Sequence, residues 1–279
     1  MVSQTMTAAL PDTPRAAPMP QSLKPPRFLS ARTITALILR EMESTYGRQP
    51  GGYIWAVLQP VGMIVLLSMA FSLLVHKPPL GTNFLFFYAI SYLPFDIYST
   101  LQGKIGSALS YSRALLFYPR VTWIDTILAR FFLNTLTLFT VFFIVTGGLS
   151  LMYETRAHIS LIPLMQGLSM AAILGLGVGM TNCVLGGLFP VWDTIWAILS
   201  RPLFLASGVL FLPEAMPAAV RDGLAWNPLI HIIGLVRQGF FPTYENNLVS
   251  LTYGYGFGLV LMVFSLIFLR AYYKTILQQ

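Results

Sequence analysis

Apolar residues in this chain fall into long uncharged runs broken by short polar stretches. No charge occurs from Gln49 to Val75, from Phe131 to Tyr153, from Ile159 to Trp192, or from Asn246 to Leu269. Each run reaches the length of about 20 residues that crosses about 30 Å of hydrocarbon as a helix. Two weaker spans are expected at Phe84–Leu101, which contains Asp96, and Thr194–Leu212, which contains Arg201. The pattern predicts an all-α polytopic membrane protein with about six transmembrane helices.

The polar stretches add their own elements. Residues 1–27 carry six prolines and few large apolar side chains, a composition that cannot bury enough surface to order itself and predicts a disordered tail. No apolar stretch follows its early charges, so it does not read as a cleaved signal peptide. From Phe28 to Arg48, Ile34, Leu37, Ile38 and Met42 fall at helical spacing, with Arg32, Arg40, Glu41 and Glu43 on other faces. That predicts an amphipathic helix on the membrane surface, closed by Gly47 and the Pro50-Gly51-Gly52 turn. Residues 103–119 read as a second, shorter amphipathic segment at the cytoplasmic surface. Between Pro213 and Pro242 the apolar runs are too short to span and are broken by Pro217 and Asn227-Pro228. Two re-entrant helices in the outer leaflet fit there, since irregular backbone at that depth must be buried in protein or line a cavity. Residues 28–279 are thus a single transmembrane domain.

Composition agrees with this reading. The chain of 279 residues is 56% hydrophobic and 10% charged, with a mean hydropathy of +0.69, whereas soluble domains are about 25% charged. The net charge of +7 is chiefly a topological signal, because Lys and Arg collect in cytoplasmic segments. The first segment, the loop holding Lys104, Arg113 and Arg120, and the tail with Arg270 and Lys274 are the basic ones. Both termini are therefore expected in the cytoplasm. The opposite-side loops hold Lys77, Arg156, Arg221 and Arg237, offset by Glu154, Glu214, Asp222 and Glu245. Cys183, the single cysteine, lies within the fourth span, and no Cys/His cluster suggests a metal site. Gly175-x-Gly177-x-Gly179 lacks a preceding strand and sits in mid-span, so it reads as close helix packing and not as a phosphate loop.

The order of elements, with three local stretches, resembles the membrane subunit of an ABC exporter for capsular polysaccharide, in the polysaccharide-export branch of the type-2 ABC permeases. The stretches are Arg40-Glu41 to Arg48 with Gly52-Tyr53-Ile54-Trp55-Ala56; Arg201-Pro202-Leu203-Phe204 with Ser207-Gly208; and Trp226-Asn227-Pro228-Leu229-Ile230-His231 through Arg237-Gln238-Gly239-Phe240-Phe241-Pro242. The resemblance implies a bacterial inner-membrane homodimer bound to two separate ATPase subunits, which hold ATP and magnesium. It also implies a periplasmic adaptor, an outer-membrane exporter and a lipid-linked polysaccharide as further partners, with no nucleic acid involved. The residues themselves agree in part. The chain has no Walker-type Gly-Lys-Ser/Thr loop, so it is expected to have no ATPase site or cofactor of its own. A six-span protomer is small for a polymer-wide channel, which favours a dimer.

Coupling to an ATPase requires a cytoplasmic contact, for which the candidate is Tyr111, Ser112, Arg113, Leu115 and Phe117, with Tyr111, Leu115 and Phe117 as anchors. The bland alternative is an ordinary surface loop. Arg130 and Arg201 are charges within spans, costing about 2.5–3.5 kcal/mol on insertion scales. One reading has them guiding an acidic glycan through a wet interior; the other is snorkelling or pairing with Asp96 or Asp193. Asp125 lies about 140° round the helix from Arg130 and is a poor partner. Phe84, Tyr88, Tyr92, Phe95 and Tyr98 form one stripe of the second span, bent midway by Pro94. Tyr88, Tyr92 and Tyr98 either stack on sugar faces or simply pack. An ion-coupled transporter would need titrating intramembrane carboxylates, and only Asp96 and Asp125 offer them. A membrane enzyme would need a clustered acid, base or metal site, which the sequence does not offer. A permease for O-antigen or another lipid-linked glycan is the nearer alternative.

Overall fold

The computed structural model describes residues 29–46, 51–74, 76–118, 121–153, 159–241, 244 and 247–278. The expected tail at 1–27 lies outside them, as do Pro50, Pro119 and Pro242. Within the described residues the chain is all helical: α1 Leu29–Tyr46, α2 Ile54–Ser72, α3 Phe84–Gly106, α4 Ala108–Tyr111, α5 Arg113–Leu116, α6 Trp123–Met152, α7 Leu161–Leu188, α8 Trp192–Leu205, α9 Ala218–Leu224, α10 Pro228–Phe240 and α11 Leu251–Gln278, with a 3-10 turn at Pro213–Ala215.

Five of these, α2, α3, α6, α7 and α11, are long and apolar enough to cross a membrane. The remaining expected span, 194–212, takes a different form. Its helix, α8, has 14 residues, about 21 Å, and gives way after Leu205 to an irregular stretch. Gly208 has φ +81, a left-handed value favouring glycine, and Ser207 turns its hydroxyl back onto the Phe204 carbonyl at 2.6 Å.

Local chemistry sets the helix ends. Gly51 and Gly52, both at positive φ, lead into α2. Asn83 Oδ1 accepts the Leu85 amide at 2.8 Å and caps α3, which continues through Pro94. Thr122 and Asp125 form a reciprocal capping box at the start of α6, so Asp125 is engaged at its own helix end and not with Arg130.

The centre is α7, flanked by α3, α10 and α11. Its glycines permit this. A Cβ on Gly175 would lie 2.9 Å from Leu101 Cβ and one on Gly179 2.8 Å from Ile105 Cβ; these i, i+4 positions take α3. Gly177, on the opposite side, receives the backbone of α11 at Gly258. Thr181–Ser265 and Ser169–Tyr255 hydroxyl pairs, at 2.9 and 2.7 Å, add polar contacts between α7 and α11. Small residues let helix backbones approach closely in lipid, where dispersion and interhelical hydrogen bonds replace the hydrophobic drive.

The second unexpected feature is Arg237. Sequence places it among the outer-loop charges; the structure buries it at 1% exposure on α10. Its Nε and one terminal nitrogen donate to Ser91 Oγ on α3, at 3.1 and 2.9 Å. It also donates to the carbonyls of Gly208 at 2.7 Å and Phe211 at 3.3 Å, and lies 4.9 Å from the centre of the Phe87 ring. It thereby ties the irregular stretch after α8 to α3.

Gly179→Val should cost about 1–3 kcal/mol by overpacking against α3, whereas Gly103→Ala, with open space around it, should hold or raise the thermal midpoint in detergent. Ser91→Ala should lower that midpoint by the equivalent of about 1.5–3 kcal/mol, since it removes two charge-assisted hydrogen bonds. Arg237→Met, which strips the carbonyls of Gly208 and Phe211 as well, should leave little folded protein by size-exclusion chromatography.

Candidate functional site

Two regions gather the residues singled out by sequence. The first lies at the α3–α4 end of the helices. α3 runs on to Gly106, and the expected short amphipathic segment is two single turns, α4 and α5, separated at buried Ser112. The division leaves Tyr111 at 43%, Phe117 at 75% and Tyr118 at 64% exposure, with Arg113 exposed and Leu115 half-buried. Exposed aromatics beside a buried serine make a short ridge whose inner side is fixed and whose outer side is open.

Beneath the ridge lies Arg130, seven residues into α6, about 10 Å from its start. It is 4% exposed. Its partner is neither Asp96 nor Asp193 but Glu41 of α1, at 3.2 Å. It also donates to the Lys104 carbonyl at 2.6 Å and to Ser107 Oγ at 3.1 Å, and its guanidinium lies 4.0 Å from the centre of the Tyr111 ring. The Tyr111 hydroxyl in turn pairs with Ser44 Oγ of α1 at 2.6 Å. Glu41, which sequence places on a polar face of the surface helix, is 7% exposed. The helical stripe Ile34, Leu37, Ile38 and Met42 is half-buried, as amphipathic spacing predicts.

Near the same ends, α3, α4, α7, α8 and α11 enclose a cavity of about 580 Å³, with Gln102, Ser107, Arg113, Asn182, Asp193 and Trp196 among its walls. Gln102 Oε1 accepts from Asn182 Nδ2 and from Trp196 Nε1, both at 2.9 Å, and Asn182 Oδ1 accepts from Trp192 Nε1 at 3.0 Å. This network orients the two stacked indoles. It was not visible in sequence, because its members come from three helices at separations of up to 94 residues.

The second region is the outward stripe of α3. The tyrosine row divides there. Tyr88 and Tyr98, at 1% and 3% exposure, enter the core of the protomer. Tyr92 and Phe95 stay half-buried, edge-on to Phe204 of α8 at 6.5 and 5.0 Å between ring centres. Below them Asp96, Thr100 and Lys104 join Gln59 and Trp55 of α2 in a polar groove of about 200 Å³. Arg201 is exposed on α8 and has no ion pair among the described residues. Helix α8 has no fully buried residue, so its outer face is open along its length.

At the far end of α3, Tyr244 donates to Glu214 Oε1 at 2.7 Å. Burial, reinforced by that carboxylate, holds the Tyr244 hydroxyl well above the usual phenol range, so it stays a donor.

Comparison with known proteins places these features in a family. The family model described as ABC-2 type transporter matches residues 32–241. The polysialic acid transport protein KpsM of Escherichia coli is 31% identical over 243 residues, covering 87% of this chain and 93% of that protein. The capsule polysaccharide export inner-membrane protein BexB of Haemophilus influenzae is 25% identical over 222 residues, covering 78% and 84%. The capsule polysaccharide export inner-membrane protein CtrC of Neisseria meningitidis serogroup B is 24% identical over 237 residues, covering 81% and 89%.

Proposed function

Since the chain belongs to the ABC-2 type transporter family, we propose that it is the membrane-spanning subunit of an ATP-driven exporter of lipid-linked capsular polysaccharide. The observation that carries this is the 31% identity to a polysialic acid transport protein over nearly the full length of both chains. The chain is a permease of capsule polysaccharide export in the bacterial inner membrane, as its relatives are named. ATP and magnesium belong to a partner ATPase.

The finer architecture follows as part of the proposal. α8 and the stretch to Leu212 make a sixth crossing, half helix and half irregular chain. α9 and α10 form a re-entrant pair whose apex, Asn227, reaches back to the Ala206 carbonyl at 3.0 Å. Both termini then face the cytoplasm, and α1 lies along that surface. The ridge of Tyr111, Ser112, Arg113, Leu115 and Phe117 docks into the ATPase, one on each protomer of a homodimer. Helix α8 is the favoured dimer surface, because Arg201 on a lipid-facing side would cost about 2.5–3.5 kcal/mol and is better placed against a partner or water. A glycan path then runs along the outward stripe of α3, with Tyr92 and Phe95 offering ring faces and Arg201 a positive charge. Tyr88, Tyr98 and Arg130 support that path from within the protomer. A periplasmic adaptor and an outer-membrane exporter continue it.

Affinity purification from native membranes in mild detergent tests the proposal. An ATPase subunit should co-purify with the wild-type chain, and Leu115→Asp with Phe117→Asp should reduce its recovery about tenfold, the scale of losing interface hot spots, at unchanged chain abundance. Recovery of the chain alone, under conditions that preserve a known ABC complex, would overturn it.

A further inference from the structure

We propose that Glu41, Ser44 and Arg130 form with Tyr111 a mechanical joint that makes the surface helix α1 move with the ATPase-docking ridge, as positioning residues for export. The inference rests on the exporter reading above. Its basis is a closed circuit of contacts. Arg130 of α6 holds Glu41 of α1 at 3.2 Å, covers the ring of Tyr111 of α4 at 4.0 Å, and Tyr111 returns to α1 through Ser44 at 2.6 Å. The same guanidinium takes the Lys104 carbonyl and the Ser107 hydroxyl where α3 ends. Four helices therefore share one cation.

Three physical features make this a joint and not ordinary packing. First, the ion pair is buried on both sides, at 5% and 8% side-chain exposure. Separating the pair would strand an uncompensated charge, so the helices that carry it are constrained to move together. An exposed pair would impose no such constraint. Second, Tyr111 has two faces: its ring lies under Arg130, while 43% of the residue remains open on the ridge. A displacement applied from outside thus reaches the buried cation directly. Third, apolar packing of α1 is incomplete. α1 packs on α6, but an open groove of about 380 Å³, lined by Ile38, Met42, Tyr53, Phe132, Leu136 and other residues, runs along its apolar side. The polar circuit therefore fixes α1 together with its packing on α6, and the groove leaves space beside the helix.

The test uses the complete exporter in cells and, purified with its ATPase, in lipid nanodiscs. Surface polysaccharide is measured by carbohydrate assay and ATP hydrolysis by phosphate release, for Glu41→Gln and Ser44→Ala. Neither residue lies on the docking ridge. Glu41→Gln should leave assembly and ATP hydrolysis within about twofold of wild type while surface polysaccharide falls about tenfold, a coupling loss on the scale of network mutations. Ser44→Ala, which keeps the ion pair, should show the same split at about threefold. Wild-type surface polysaccharide in both variants, or export falling only in proportion to complex abundance or ATP hydrolysis, would overturn the joint. If Glu41→Gln fails to accumulate, Ser44→Ala decides alone, by the same ratio of export to hydrolysis. A wild-type chain that holds no ATPase subunit would instead overturn the exporter reading itself.

Discussion

Backbone polar groups inside hydrocarbon must find partners within the protein, because no water is there to take them. Most of this chain meets that requirement with continuous helix. The stretch after Leu205 leaves helical geometry, and side chains from α10 and its N-cap meet its carbonyls. The Gly208 and Phe211 carbonyls are taken by Arg237, and the Ala206 carbonyl by Asn227. On the next turn His231 continues the pattern. Its Nδ1 accepts the Ser250 amide at 3.1 Å, which leaves the proton on Nε2 to donate to the Ala225 carbonyl at 2.9 Å. The neutral ring thus bridges two segments that have left helical geometry. α10 itself is seated by its apolar side chains on α7 and α3, and these polar side chains tie the irregular segments to it.

Two buried arginines divide the labour between the ends of α3. Arg237 near one end has hydroxyl and carbonyl partners and an aromatic face, all of which are neutral. It fixes an irregular chain in place without offering an opposing charge that could exchange. Arg130 near the other end has a carboxylate from α1 and an aromatic ring from α4. The two ends of α3 thus carry one buried cation with neutral partners and one with an opposite charge.

Much of the fold was legible in the sequence because bilayer thickness sets a length that uncharged runs must meet. The four charge-free runs each contain or overlap a long helix, and the glycines of α7 serve packing, as their mid-span position implied. The spacing of Ile34, Leu37, Ile38 and Met42 gave α1 its apolar side. The errors have a common cause. Arg237 looked like a loop charge because sequence-level counting treats every charge outside a long run as solvated. Glu41 was overlooked as the partner of Arg130 because carboxylates were sought on neighbouring spans, although α1 packs against α6 and brings Glu41 to it. Phe84 to Tyr98 formed one stripe on a helical wheel, yet a wheel cannot tell which part of a stripe a neighbouring helix will cover. The split between Tyr88 or Tyr98 and Tyr92 depends on α7, α8 and α10, which come later in the chain.

Asn227 sits where two half-helices end against each other. Its Oδ1 accepts the Leu229 amide at the start of α10, at 3.1 Å, while its Nδ2 serves the carbonyl that closes α8. Aligned peptide dipoles give a helix about half a positive elementary charge at its beginning and about half a negative one at its end. Here the negative end of α8 and the positive end of α10 converge on one neutral amide, and the two partial charges offset each other. The break consequently presents a smaller backbone field than either helix end would alone.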